Sequence, residues 1–88
     1  MLECSLIIKN RLGLHARAAA KFVDLAKTFD SKVVLSKNDQ SADGKEIMNI
    51  LLLAASKGTE IYLTVKGIDE RIAFEALSDL VHCGFGEE

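Results

Sequence analysis

Ile47-Met48-Asn49-Ile50-Leu51-Leu52-Leu53-Ala54-Ala55-Ser56-Lys57-Gly58 is the stretch on which the fold turns. A short apolar run of this kind fits a buried strand or a short buried helix equally well by periodicity. Its Met and Leu content and the Ala54-Ala55 pair favour the helix, because unbranched side chains and alanine lose little freedom in a helical turn. The helix is expected to end before Gly58. Just upstream, Lys32 to Lys37 holds Val33, Val34 and Leu35, and Asn38-Asp39 is a turn signal leading into Gln40 to Ala42, so these two strands form a hairpin. Downstream, Glu60 to Lys66 alternates through Ile61, Leu63 and Val65 as a strand does. Farther out, Leu2 to Lys9 alternates Leu2, Cys4, Leu6 and Ile8 against Glu3, Ser5 and Lys9, with Ile7 breaking the polar face. Ala19, Phe22, Val23, Ala26 and Phe29 recur at three and four residues, which predicts a helix over about 16–28. Asp69 is placed as the N-cap of a last helix carrying Ile72, Ala73, Ala76, Leu77, Leu80 and Val81, stopped by Gly84. Gly86-Glu87-Glu88 is expected to fray.

The element order is therefore strand, helix, strand, strand, helix, strand, helix, an α+β arrangement with helices on one face of the sheet. Alternating rather than wholly apolar strands suit an antiparallel sheet whose other face meets water. One domain spanning residues 1–88 is expected from the length. A hydrophobic share of 49% with 27% charged residues is a globular composition, and no apolar run is long enough to cross a bilayer, so membrane insertion is not expected. Met1-Leu2-Glu3-Cys4 enters a strand directly without leader features, which makes the cytoplasm the expected compartment. The 11 basic and 13 acidic residues are mixed along the chain, with a net charge of -2 and no basic block, which argues against nucleic acid as a partner. Cys4 and Cys83 read as two reduced thiols. Nothing sets them at metal-ligand spacing with His15 and His82, so no metal or cofactor is expected.

His15 stands where a loop gives way to the first helix. A helix start leaves backbone N–H groups unbonded and partially positive, the setting in which proteins hold phosphate. An imidazole there can be both nucleophile and anchor: a ring nitrogen attacks phosphorus, and the phosphoryl oxygens meet the N–H groups of Ala16, Arg17 and Ala18. The Arg17 guanidinium can grip those oxygens through paired hydrogen bonds. Gly13 permits a tight approach. His82, in the last turn of a helix, reads as a structural or solvent-facing histidine.

Gly13-Leu14-His15-Ala16-Arg17 resembles the active-site signature of the HPr family. The run from Asp43-Gly44-Lys45 through Ile47-Met48 to Ala55-Ser56-Lys57-Gly58-Thr59 resembles that family's second characteristic stretch, at the family's spacing. The likeness extends over essentially the whole chain. It implies an open-faced β-sandwich, an antiparallel four-stranded sheet of order 1-4-2-3 under three helices. It further implies a monomeric covalent carrier, rather than a turnover enzyme, that takes a phosphoryl group on Nδ1 of His15. The donor would be enzyme I, itself phosphorylated from phosphoenolpyruvate, and the acceptors EIIA-type proteins. Arg17 would contact the phosphoryl group, and Ala20, Ile47, Met48 and Leu51 would form the docking patch. The alternative within the same fold is a regulatory module that acts by docking without phosphotransfer. Three positions depart from the family pattern: Ala18 replaces the usual Pro, Leu12 stands where many members carry a polar residue, and Glu46 occupies the regulatory Ser position and cannot be phosphorylated. The stretches Asn10-Arg11-Leu12-Gly13 and Gly84-Phe85-Gly86-Glu87-Glu88 resemble NPr, the carrier of the nitrogen-related branch.

Overall fold

The computed structural model describes residues 1–87. The strands are β1 (Leu2–Ile7), β2 (Lys32–Lys37), β3 (Gln40–Asp43) and β4 (Glu60–Lys66), and the helices are α1 (Ala16–Ala26), α2 (Ile47–Leu52) and α3 (Glu70–His82). All strand pairs are antiparallel, in the order β1-β4-β2-β3. This is the α+β, open-faced arrangement expected from the sequence. Register follows from the alternation: Cys4 pairs with Leu63, which pairs in turn with Leu35, so apolar side chains line one face across three strands. Leu6, Ile8, Val33, Leu35, Ala42, Ile61, Leu63 and Val65 are buried there beneath Phe22, Ile50, Ala73, Leu77 and Val81 of the helices. Tyr62, Ser5 and Ser36 occupy neighbouring register positions on the open face.

Several boundaries move inward from those read off the sequence. β1 ends at Ile7, although Ile8 still pairs through its N–H to Thr59 O and through its O to the Gly58 N–H. α1 ends at Ala26, and the next residues tighten into bonds from Thr28 N–H to Leu25 O and Phe29 N–H to Ala26 O. α2 stops at Leu52, because Ala54 turns into the left-handed region at φ 50 and the Lys37 ammonium donates to the carbonyls of Leu53 and Ala54. Asp69 sits at the N-cap of α3, but its carboxylate does not cap. It accepts instead from the N–H groups of Asp30 and Ser31 and from the Ser31 hydroxyl, which hold its pKa below the usual value, the hydroxyl most strongly. Glu70 reaches back to the Gly67 N–H in its place.

Ala54 supplies a test of this backbone. A left-handed conformation costs an L-residue about 1–2 kcal/mol, part of which glycine gives back through its larger unfolded-state entropy. Ala54→Gly is expected to stabilise the protein by about 0.5–1 kcal/mol, read as a rise of a few degrees in Tm. A fall in Tm would contradict the left-handed placement.

Candidate functional site

His15 is the N-cap of α1, with extended backbone at φ -81, ψ -179, and its carbonyl accepts from the Ala19 N–H. The loop ahead of it is fixed by three contacts: Gly13 N–H to Asn10 O, Leu14 N–H to Ala55 O, and burial of Leu14. Gly13 has φ +69, and a Cβ there would stand 2.6 Å from Ala55 O and 2.8 Å from Ser56 Cα. The tight approach that calls for glycine is thus to the Ala55-Ser56 backbone, and it sets the loop height that carries His15.

The Nδ1 atom of His15 accepts a long, 3.4 Å bond from the Arg17 N–H, while the N–H groups of Ala16 and Ala18 have no protein acceptor among the described residues. All three expected phosphate-binding amides therefore cluster at one helix start, around the nitrogen whose lone pair faces them. The Arg17 side chain is exposed and has no ion-pair partner among the described residues. Its guanidinium is free to meet an anion arriving at Nδ1. Ala18 is fully buried as the third residue of α1, in the first helical turn, where its N–H has no backbone bond to lose. Ala18→Pro is accordingly expected to stabilise the fold by about 0.4–1 kcal/mol through the unfolded chain. Thermal melting checks this, and a clear loss of stability would mean that the buried ring has no room.

The expected frayed tail is overturned for Gly86 and Glu87, while Glu88 lies outside the described residues. Gly84, Phe85 and Gly86 all take positive φ, forming a single 3-10 turn that folds back on α1. Phe85 is 1% exposed in the core, and Lys21 of α1 donates to its carbonyl at 2.7 Å. The turn delivers Glu87 onto the site: Nε2 of His15 donates to Glu87 Oε2 at 2.8 Å, and buried Asn10 donates to Glu87 Oε1 at 3.0 Å. The same Asn10 amide also donates to Gly13 O at 2.7 Å, so one side chain braces both the loop and the carboxylate. The Asn10 amide, and then the His15 ring, hold the Glu87 pKa below the ordinary carboxylate value. Neither Glu87 nor Asn10 was singled out as a site residue from the sequence. The available signal was the Gly-Phe-Gly spacing, an aromatic between two residues free to turn left-handed.

Beside this centre lies an apolar surface. Met48 and Leu52 of α2 are 64% and 72% exposed, and Leu12 of the loop is 63% exposed. Ile47 and Leu51 are half-buried and pack against the core, and Ala20 is half-buried on α1. Of the expected docking residues, Met48 is thus the most accessible. Leu12 and Leu52 join the exposed surface, although the sequence reading did not name them for docking. A four-residue spacing puts Met48 and Leu52 on one helix face, a pattern legible in the sequence. Glu46 is exposed at the N-cap of α2 and makes no side-chain cap bond. His82 is exposed in the last turn of α3, on a different element from His15. Among the described residues the surface holds no pocket. Nor, among the described residues, is any helix long and apolar enough to cross a membrane.

Comparison with known proteins shows what the chain as a whole is similar to. Residues 2–82 match the family model described as "PTS HPr component phosphorylation site". The phosphocarrier protein HPr of Neisseria meningitidis serogroup B is 51% identical over 87 residues, covering 99% of this chain and 98% of that protein. The HPr of Xylella fastidiosa strain 9a5c is 47% identical over 88 residues, covering 100% and 99%. Among solved structures, HPr-C-His from Thermoanaerobacter tengcongensis superposes with a TM-score of 0.96 at 43% identity, covering 100% of this chain and 99% of that one.

Proposed function

The chain belongs to the HPr family of phosphotransferase-system phosphocarriers, and from that membership we propose that it takes its phosphoryl group from an enzyme I onto Nδ1 of His15 and hands it to an EIIA-type protein. The observation that carries this reading is the hydrogen-bond pattern of the His15 ring. A carboxylate can only accept, so the bond to Glu87 puts the proton on Nε2 and leaves the Nδ1 lone pair aimed at the free amides of the helix start. In-line attack of that lone pair on a donor phosphoryl group forms the Nδ1–P bond as the donor's P–N bond breaks, and the electron pair stays on the donor nitrogen. The incoming oxygens then meet the N–H groups of Ala16, Arg17 and Ala18 and the Arg17 guanidinium.

The surface character of the site supports a carrier rather than a free-standing enzyme. His15 stands on an open surface, with no pocket among the described residues, a setting that donor and acceptor proteins would each cover in turn. Exposed Met48, Leu52 and Leu12 supply apolar surface for that purpose on α2 and on the loop that leads to His15, and Ala20, Ile47 and Leu51 are half-buried on α1 and α2. A flexible thioether is suited to partners of different shape.

The relay itself is the experiment. The protein is incubated with enzyme I and phosphoenolpyruvate, separated, and then mixed with an EIIA protein. The expected result is a phosphoryl group that appears first on this chain and then on the EIIA. Uptake from enzyme I with no transfer to any EIIA-type protein tested would instead favour a docking regulator.

A further inference from the structure

The geometry points to Glu87 as a positioning residue for the transfer proposed above: it holds the His15 ring in the Nε2-protonated form so that Nδ1 is always the nucleophile. Three independent anchors put it there. Phe85 is buried in the core, Lys21 holds the Phe85 carbonyl, and the Asn10 amide holds Glu87 Oε1, leaving Oε2 for the ring. The carboxylate is mostly shielded, its side chain 15% exposed against 27% for His15, so water competes poorly for the contact. The cation facing the pair is the Lys21 ammonium on α1, which together with the Asn10 amide and the His15 ring keeps Glu87 ionised and acceptor-only.

The consequence reaches both directions of transfer. When Nδ1 takes the phosphoryl group, the Nε2 proton stays, so the ring becomes cationic and the Glu87 carboxylate balances it. When the Nδ1–P bond breaks toward an acceptor, the electron pair returns to Nδ1 and the ring departs as neutral imidazole. Without the Nε2 proton the ring would depart as an anion, a far poorer leaving group. No proton needs to enter or leave in either step.

The proposal rests on the assignment of His15 as the phosphoryl acceptor, but its first test does not. In protein labelled with nitrogen-15 at histidine and recorded in alkaline solution, the native chain is expected to show a pyridine-type Nδ1 and a pyrrole-type Nε2. Glu87→Ala should reduce that tautomer preference about three- to tenfold, the share of a charge-assisted bond that survives partial exposure. Glu87→Gln should do so at least as much: Asn10 and the His15 ring both need an acceptor, and an amide offers one oxygen. Both variants keep the Phe85 and Lys21 anchors and so keep the fold. An unchanged tautomer ratio in both variants overturns the proposal even if His15 is phosphorylated. The second reading is kinetic: with enzyme I, kcat for uptake by Glu87→Ala should fall about three- to tenfold with KM nearly unchanged. A rise in KM alone would place Glu87 in docking and contradict the positioning role. If His15 proves not to carry phosphate, the tautomer result still stands or falls by itself.

Discussion

His15→Ala is expected to fold like the native protein and to take up no phosphoryl group from enzyme I and phosphoenolpyruvate. The loss should be complete, because Ala16, Arg17 and Ala18 at that helix start offer only backbone amides and a guanidinium, which donate hydrogen bonds and cannot attack phosphorus. The stability cost is small. The ring's capping bond is a long one and the Glu87 contact is partly exposed, so about 0.5–2 kcal/mol is the range for a lost cap. His15→Asn is the stricter version, since asparagine is a good N-cap and restores a side-chain acceptor for the Arg17 N–H without restoring the nucleophile. His82→Ala should take up phosphate as the native protein does, because His82 is exposed in the last turn of a different helix and makes no contact with the His15 ring. Mass measurement of the intact proteins after incubation reads all three, and label retained on His15→Asn would contradict the assignment.

Phe85→Ala is expected to have the largest effect on stability, a loss of about 3–5 kcal/mol. The ring is 1% exposed and packs in the core, so truncation leaves a cavity, while alanine in the left-handed conformation at φ 58 recovers none of the strain. For a protein of this size that loss corresponds to a fall of about 12 °C or more in Tm. It should also free Glu87 from His15, because the buried ring anchors the turn that carries the carboxylate. The tautomer signal of Phe85→Ala should therefore resemble that of Glu87→Ala. A drop of less than about 1 kcal/mol, the level of a surface change, would mean that the turn is not docked.

The difference between these residues shows what could be read from the chain alone. The sheet was legible because each strand obeys one local rule. Ile61, Leu63 and Val65 alternate, and that alternation alone settles which face they bury. The placing of His15 at a helix start was legible because the loop-to-helix boundary and the short motif around it lie within five residues. Phe85 and Glu87 were not, because their partners are remote: Lys21 is 64 residues away and Asn10 is 77 residues from Glu87. Local pattern reads a glycine-rich acidic tail as fraying, and only the tertiary fold brings α1 and the Asn10 loop to meet it. Asp69 repeats the lesson on a smaller scale. Its position at a helix start was correct, but Ser31 and Asp30, distant in sequence, claimed the carboxylate that the helix was expected to use. On α2 the degree of exposure was not legible: Ile47 and Leu51 pack partly into the core, while Leu52 turns outward with Met48.

The measurement that bears most directly on the central claim is the location of the phosphoryl group on the native protein. After incubation with enzyme I and phosphoenolpyruvate, the chain is digested under mildly alkaline conditions, where phosphohistidine survives, and its peptides are sequenced by mass spectrometry. The expected result is a single phosphoryl group on the peptide that contains His15, lost on brief acid treatment. A phosphoryl group on the peptide containing His82, on a serine, or on no peptide at all would contradict the account.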